Sequence, residues 1–202
     1  MAREVELVPS ALGFRVKSGW AMAALLAGSA SSPQLVMCKP ALLSDPQVPQ
    51  SKQPHHAELR NPGKEGKAAT QKLRGVVRSA ARKSVKELLK EAAAARYEVR
   101  KAALVVGSMV DPATLHNEHI RTHGLEGQLF RTVLADALAT QKIPCSVFLE
   151  KTAYDAAAPT LRKTAAQIKR AIAKLGESHE GSWRAEEKLA ALAAWVALAS
   201  NQ

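Results

Sequence analysis

The segment DPATLHNEHIRTHGLEGQLFR, residues 111–131, holds three of the chain's six histidines. His119 and His123 stand four residues apart, the spacing at which two side chains of one helix ligate the same metal ion. Glu126 has the chemistry of a third ligand or a general base. On a helix each residue advances by about 100°. His116, His119, His123, Glu126, Phe130, Leu134 and Ala137 then share one broad stripe. Its apolar end belongs in a core, so its polar end is expected to border a pocket or a buried polar network. Asp111 and Arg121 complete the candidate pocket, with His55 and His56 from an upstream loop as candidates to close it. The fuller H-E-x-x-H pattern is absent, because Ile120, Arg121 and Thr122 stand between the paired histidines. Three readings remain open: a structural hydrogen-bonded network, a divalent metal site on His119, His123 and Glu126, and an anion or substrate pocket. No cofactor is expected from the pattern itself, a divalent metal being the alternative. Arg121 reads as a surface residue before a phosphate contact.

These residues need a frame. Leu12, Phe14 and Val16 alternate with Gly13, Arg15 and Lys17, as in a half-buried strand. A turn at Ser18-Gly19 leads to a second strand over 20–27, and a third is expected over 34–43, where Pro40 suits an edge or a bulge. The same opening, ALGFRVKSGWAMAALLAGSASS, has some features of an export signal. Its acidic approach through Glu4 and Glu6 and its short, alanine-rich apolar run favour a hairpin and a cytoplasmic protein, with secretion as the alternative. Residues 44–67 read as a long Pro/Gln-rich loop inserted before the first long helix. A helix over 68–96, a strand over 101–110, a helix over 115–140, a strand over 143–149 and helices over 160–175 and 183–199 follow. Asp111-Pro112 is expected to open the helix that carries the histidines. The order predicts an α/β domain spanning 1–202. A three-stranded antiparallel meander leads into parallel strands, with helices on the sheet faces and an extra C-terminal helix.

Charge is unevenly spread. Of the formal net charge of +11, residues 63–101 contribute +8, with twelve Lys/Arg against four Asp/Glu. Lys72, Arg74, Arg78, Arg82, Lys83 and Lys86 in that helix form a candidate surface for nucleic acid or another polyanion. A solvated basic face is the plain alternative. Aromatic residues make up 4% of the chain, too few for a base-stacking platform. The three tryptophans read as packing residues. Sequence-independent contact with a phosphate backbone remains open. Cys38 and Cys145 lack the spacing of a zinc knuckle or a thiol redox motif and read as reduced, buried thiols. No apolar run reaches the length of a transmembrane helix.

The element order resembles the ribonuclease H-like superfamily, which includes ribonucleases H, Holliday-junction resolvases and actin-like ATPases. The opening resembles resolvase-like members at motif level. Those begin with a strand of the form Leu-Gly-Ile-Asp, then Pro-Gly, a small loop and Gly-Trp-Ala. Here Leu12-Gly13-Phe14-Arg15 runs into Val16-Lys17-Ser18-Gly19-Trp20-Ala21. The resemblance places Arg15 where those enzymes hold a metal-binding aspartate, and Val16 at the proline. Two-metal nucleases hold hard divalent cations with clustered carboxylates, and an arginine there repels the metal. In the last helix Glu186 and Glu187 are followed by Lys188 and an acid-free stretch. The resemblance therefore implies a degenerate active site without nuclease activity. A second resemblance, to small bacterial proteins with a similar GWA opening and a QP-x-HA segment, implies no activity. The reading favoured by the sequence is a non-catalytic domain of this superfamily that binds a polyanion or a protein partner. An enzyme or a metal or anion site on the His/Glu cluster is the first alternative. The second is an assembly protein that packs its alanine-rich helices against a copy of itself or another chain.

Overall fold

The computed structural model describes residues 7–200. Strands β1 (Val8–Lys17), β2 (Trp20–Ser29) and β3 (Ser32–Leu42) form the expected antiparallel meander. Gly19, at φ +83°, supplies the left-handed turn between the first two. Helices α1 (His56–Arg60) and α2 (Lys64–Ala94) lead to β4 (Tyr97–Val106), and α3 (Glu118–Thr140) leads to β5 (Cys145–Leu149). Helices α4 (Ala153–Leu161), α5 (Ala165–Leu175) and α6 (Ala185–Ala199) close the chain. The sheet order is β3-β2-β1-β4-β5, with β4 parallel to both β1 and β5. Pro33 and Pro40 lie in β3, an edge strand, where a missing N–H costs no ladder bond on the solvent side.

The two sheet faces follow from the alternation in β1. Leu12, Phe14 and Val16 face α2 and α3, packing with Val77, Val85, Leu88, Phe130 and Leu134. Ala11 and, from neighbouring strands, Met22, Leu26 and Val105 pack beneath α6. A helix that is apolar all round must be covered all round. Leu189 to Leu198 of α6 are all buried, between the sheet on one side and α4 and α5 on the other. The alanine-rich surface of this helix is thus consumed inside the chain, and the expectation that it faces another chain does not hold for α6. Gly13 permits this packing. A Cβ there would stand 2.1 Å from the Ala190 carbonyl oxygen and the Ala194 nitrogen.

Several boundaries differ from the sequence reading. The segment 44–67 carries a 3₁₀ turn (Pro49–Lys52), the short α1 and the first turn of α2. It is tied down by hydrogen bonds, among them Thr70 Oγ1 donating to the Pro54 carbonyl at 3.0 Å. Gly66 lets α2 start against α1, because a Cβ there would stand 1.9 Å from the Asn61 oxygen. The helix expected over 115–140 begins later, at Glu118. Asp111 caps a separate 3₁₀ turn by accepting from Ala113 N, and Asn117 caps α3 by accepting from Ile120 N at 3.0 Å. The helix expected over 160–175 begins later, at Ala165, and a further helix, α4, ends just before it. Arg162 adopts a left-handed conformation at φ +50°, and Thr164 and Gln167 form a capping box that restarts the chain.

Candidate functional site

The carboxyl ends of β1, β4 and β5 point the same way, and there an open cleft of about 500 Å³ lies between the strand ends and α3. Arg15, Lys17, Gly107, Ser108, His123, Gln128 and Arg131 are among its walls. Clefts at the carboxyl ends of parallel strands are the usual ligand sites of α/β sheets. Arg15 is 5% exposed and points to the α6 side of the sheet. Its register partner in β4 is Val105, which pairs in turn with Phe148 of β5. Glu150 follows Phe148 by two residues and so returns to the same side, where its carboxylate is bonded to the Arg15 guanidinium. Lys17, two residues beyond Arg15, pairs with Glu186 of α6 at 3.2 Å. The Lys17 ammonium hydrogen bond is the main cause that holds the Glu186 carboxyl below its ordinary range. Glu187 turns inward and accepts from the Arg184 N–H at 2.9 Å, closing the start of α6. This end of the sheet therefore carries two interlocked ion pairs. Glu150 was missed in the sequence; its signal was its place directly after a parallel strand.

The histidine cluster lies on the rim of the same cleft. His119 and His123 occupy successive turns of α3, with their Nε2 atoms 3.1 Å apart. His56, the first residue of α1, approaches from the other side. Its ring lies 5.0 Å from His123 and 6.2 Å from His119, centroid to centroid. One ligand atom from each of the three lies within 4.8 Å of the other two. His56 is buried, whereas His119 and His123 are exposed. Glu126 stands behind His56, 1% exposed. Its Oε1 accepts the backbone N–H of His55 at 2.7 Å and of His56 at 3.3 Å, and lies 3.1 Å from His56 Nδ1. Burial pushes the Glu126 carboxyl up to about 7 against the pull of the two backbone bonds. His56 and His123 are held below the ordinary imidazole value, first by desolvation and then by neighbouring positive charge. Both shifts favour the neutral form of these two rings, and His56 Nδ1 lies within hydrogen-bond distance of Glu126 Oε1.

The predicted pocket is brought together only in part. His56, His119, His123 and Glu126 converge. His116 lies before α3 and is exposed, so it leaves the helical stripe; Asp111 serves as a turn cap, and Arg121 is exposed. His55 gives Glu126 its backbone N–H, while its ring lines a second groove with Arg74, Arg78, Gln128 and Asp136. Burial first, then the Arg74 charge, hold the His55 ring below its usual pKa. Glu126 acts behind a histidine instead of standing beside His119 and His123 as a ligand.

The predicted cationic surface lies along α2. Lys72, Arg78, Arg82, Lys83 and Lys86 are exposed, and Arg74 is half-buried. Among the described residues, Lys83 alone of these six has an acidic partner, Glu87 at 4.0 Å. Arg74, Arg78, Arg82 and Lys86 repeat every four residues, about 6 Å of helix rise per step. Gln128 lines both the Arg74/Arg78 groove and the strand-end cleft, which joins the two surfaces across α3.

A mixed sheet in the order 3-2-1-4-5, with two parallel crossovers on one face and the terminal helix on the other, is the ribonuclease H-like fold. The chain is similar in structure to Thermus thermophilus RuvC in complex with a Holliday junction substrate, at a TM-score of 0.52 and 10% identity. That similarity covers 93% of this chain and 91% of the other. A second Thermus thermophilus RuvC structure gives a TM-score of 0.49 at 10% identity, covering 93% and 92%. By sequence the chain matches no protein-family model and no curated protein. Among the described residues, no helix is long and apolar enough to cross a membrane.

Proposed function

We propose that this chain is a ribonuclease H-like domain that binds a nucleic-acid backbone through α2, without two-metal nuclease chemistry. The observation that carries the reading is the set Lys72, Arg74, Arg78, Arg82 and Lys86, cations without an acidic partner among the described residues on the side of α2 turned away from the core. Such a set gains most from a polyanion, because bound phosphates release their condensed counterions. The neighbouring fold supports it: the RuvC of similar structure is seen with a Holliday junction substrate. The non-catalytic part rests on Arg15. A buried guanidinium, already paired with Glu150, fills the place where the resemblance expects a metal-binding carboxylate.

Fluorescence anisotropy with duplex and four-way-junction DNA tests both parts. Affinity should fall by roughly tenfold or more between 50 and 200 mM salt, on the scale set by several phosphate contacts. The R78E/R82E variant should lose most of it. Binding that ignores salt, or survives R78E/R82E unchanged, refutes the interface. Magnesium-dependent cleavage of either DNA that R15A leaves unaltered refutes the assignment of Arg15 to a disabled metal position.

A further inference from the structure

We propose that His56, His119 and His123 form a binding site for a single zinc-type transition-metal ion, with Glu126 holding His56 in its ligating orientation. This site is independent of nucleic-acid binding and is built from α1 and α3, away from the strand-end acids of two-metal nucleases. Three imidazoles form a donor set suited to zinc and its neighbours, and unsuited to magnesium or calcium, which prefer oxygen. Tetrahedral zinc with nitrogen ligands at about 2.0–2.1 Å requires nitrogens about 3.3 Å apart. His119 Nε2 and His123 Nε2 are already 3.1 Å apart, and one ring nitrogen from each of the three histidines lies within 4.8 Å of the other two. The exposed pair can close the remaining distance by rotating about their side-chain bonds, while His56 is fixed.

Glu126 makes this more than a chance gathering of histidines. Its Oε1, which already accepts two backbone N–H groups, faces His56 Nδ1, a placement that favours the proton on Nδ1 and leaves the lone pair of Nε2 free for a metal. A carboxylate behind a ligating histidine is the common outer partner of zinc sites. The other oxygen, Oε2, is buried without a hydrogen-bond partner. With no cationic side chain bonded to it among the described residues, this buried carboxyl is left to orient the imidazole in front of it. The ion would also cross-link α1 to α3, joining His56 to ligands more than sixty residues further along the chain. With three protein ligands, its fourth position is left to water or an anionic oxygen, on the rim of the cleft that His123 lines.

The test uses untagged full-length protein, stripped with a chelator and titrated with Zn²⁺ and with Co²⁺. One equivalent of zinc should bind with submicromolar affinity and raise the melting temperature. Cobalt should give the intense visible absorption of a four-coordinate site. H119N and H123N change exposed residues and should fold, yet each should weaken binding by about a hundredfold or more. E126Q should weaken it by about 10–100-fold. H116N, outside the cluster, should match the wild type. Absence of saturable binding, the weak spectrum of six-coordinate cobalt, or H119N and H123N that bind as the wild type does would overturn the site. A folded E126Q with wild-type affinity would overturn the role given to Glu126.

Discussion

Replacing Glu150 by alanine should destabilise the protein far more than replacing Arg15 by methionine, although both remove the same ion pair. The asymmetry follows from burial. Arg15 is 5% exposed, whereas the Glu150 side chain is 41% exposed. Without Glu150, the guanidinium stays in the sheet with its charge uncompensated, and Arg15 Nε already lacks a partner. Breaking a buried pair in this way costs about 3–5 kcal/mol. Glu186 also acts on Arg15 through its charge, and the site opens to a cleft, so about 3 kcal/mol is the expected loss. For a chain of this size that lowers the melting temperature by roughly 6–12 °C. In R15M an unbranched apolar side chain of similar length fills the space, and Glu150 turns to water. The cost should stay below about 1 kcal/mol. R15M/E150A should then recover about 2 kcal/mol relative to E150A, the mark of coupled residues. Urea unfolding followed by circular dichroism measures all four proteins. Single variants of equal cost that add in the double variant would refute the reasoning, since Arg15 would then not be a buried charge dependent on Glu150.

Other consequences are as direct. G13A should lose at least about 3 kcal/mol or fail to fold, because its Cβ would meet the α6 backbone at 2.1 Å and rigid backbone cannot yield as a side chain can. Thermal denaturation of G13A reads this, and a melting temperature equal to that of the wild type would refute the close approach of α6 to β1. Burial pushes the Cys38 and Cys145 thiols up to about 12 from 9.0. Since the thiolate is the nucleophile, native alkylation at pH 8 should be roughly a thousandfold slower than in the urea-unfolded chain. The rate should keep rising tenfold per pH unit up to about pH 12, and equal native and unfolded rates by mass spectrometry would contradict it. T164A removes the cap of α5 and should cost about 1 kcal/mol, with no change in DNA or zinc binding. A loss of either binding activity in this variant would show that the restart of the chain at α5 is tied to those surfaces.

The sheet was readable because its signals are local. The alternation of Leu12, Phe14 and Val16 and the Ser18-Gly19 turn specify the first hairpin. The long α2 is equally plain, since its buried positions Leu73, Val77, Ala81, Val85 and Leu88 follow the helical period. Helix α4 escaped notice because AYDAAAPTL has few large apolar side chains to mark a face and carries Pro159. The late start of α3 is signalled by Asn117, a strong cap, whereas Asp111-Pro112 is a competing start signal in the sequence. A helix starting there would carry His116 into the cluster.

By itself the sequence determined the order of the strands and of the long helices, the cations on α2 and the arginine at position 15. Each depends on the identity or period of nearby residues. Only the tertiary structure decided what those residues meet. Arg15 finds Glu150, which lies 135 residues away, because β1 and β5 are both parallel to β4 and end at the same edge. His56 joins His119 and His123, and Glu126 moves behind it, because α1 is docked on α3 by the backbone N–H groups that Glu126 accepts. Helical spacing fixes which residues share one helix face. It contains nothing about the second element that completes a site, and that element arrives only when the core is packed.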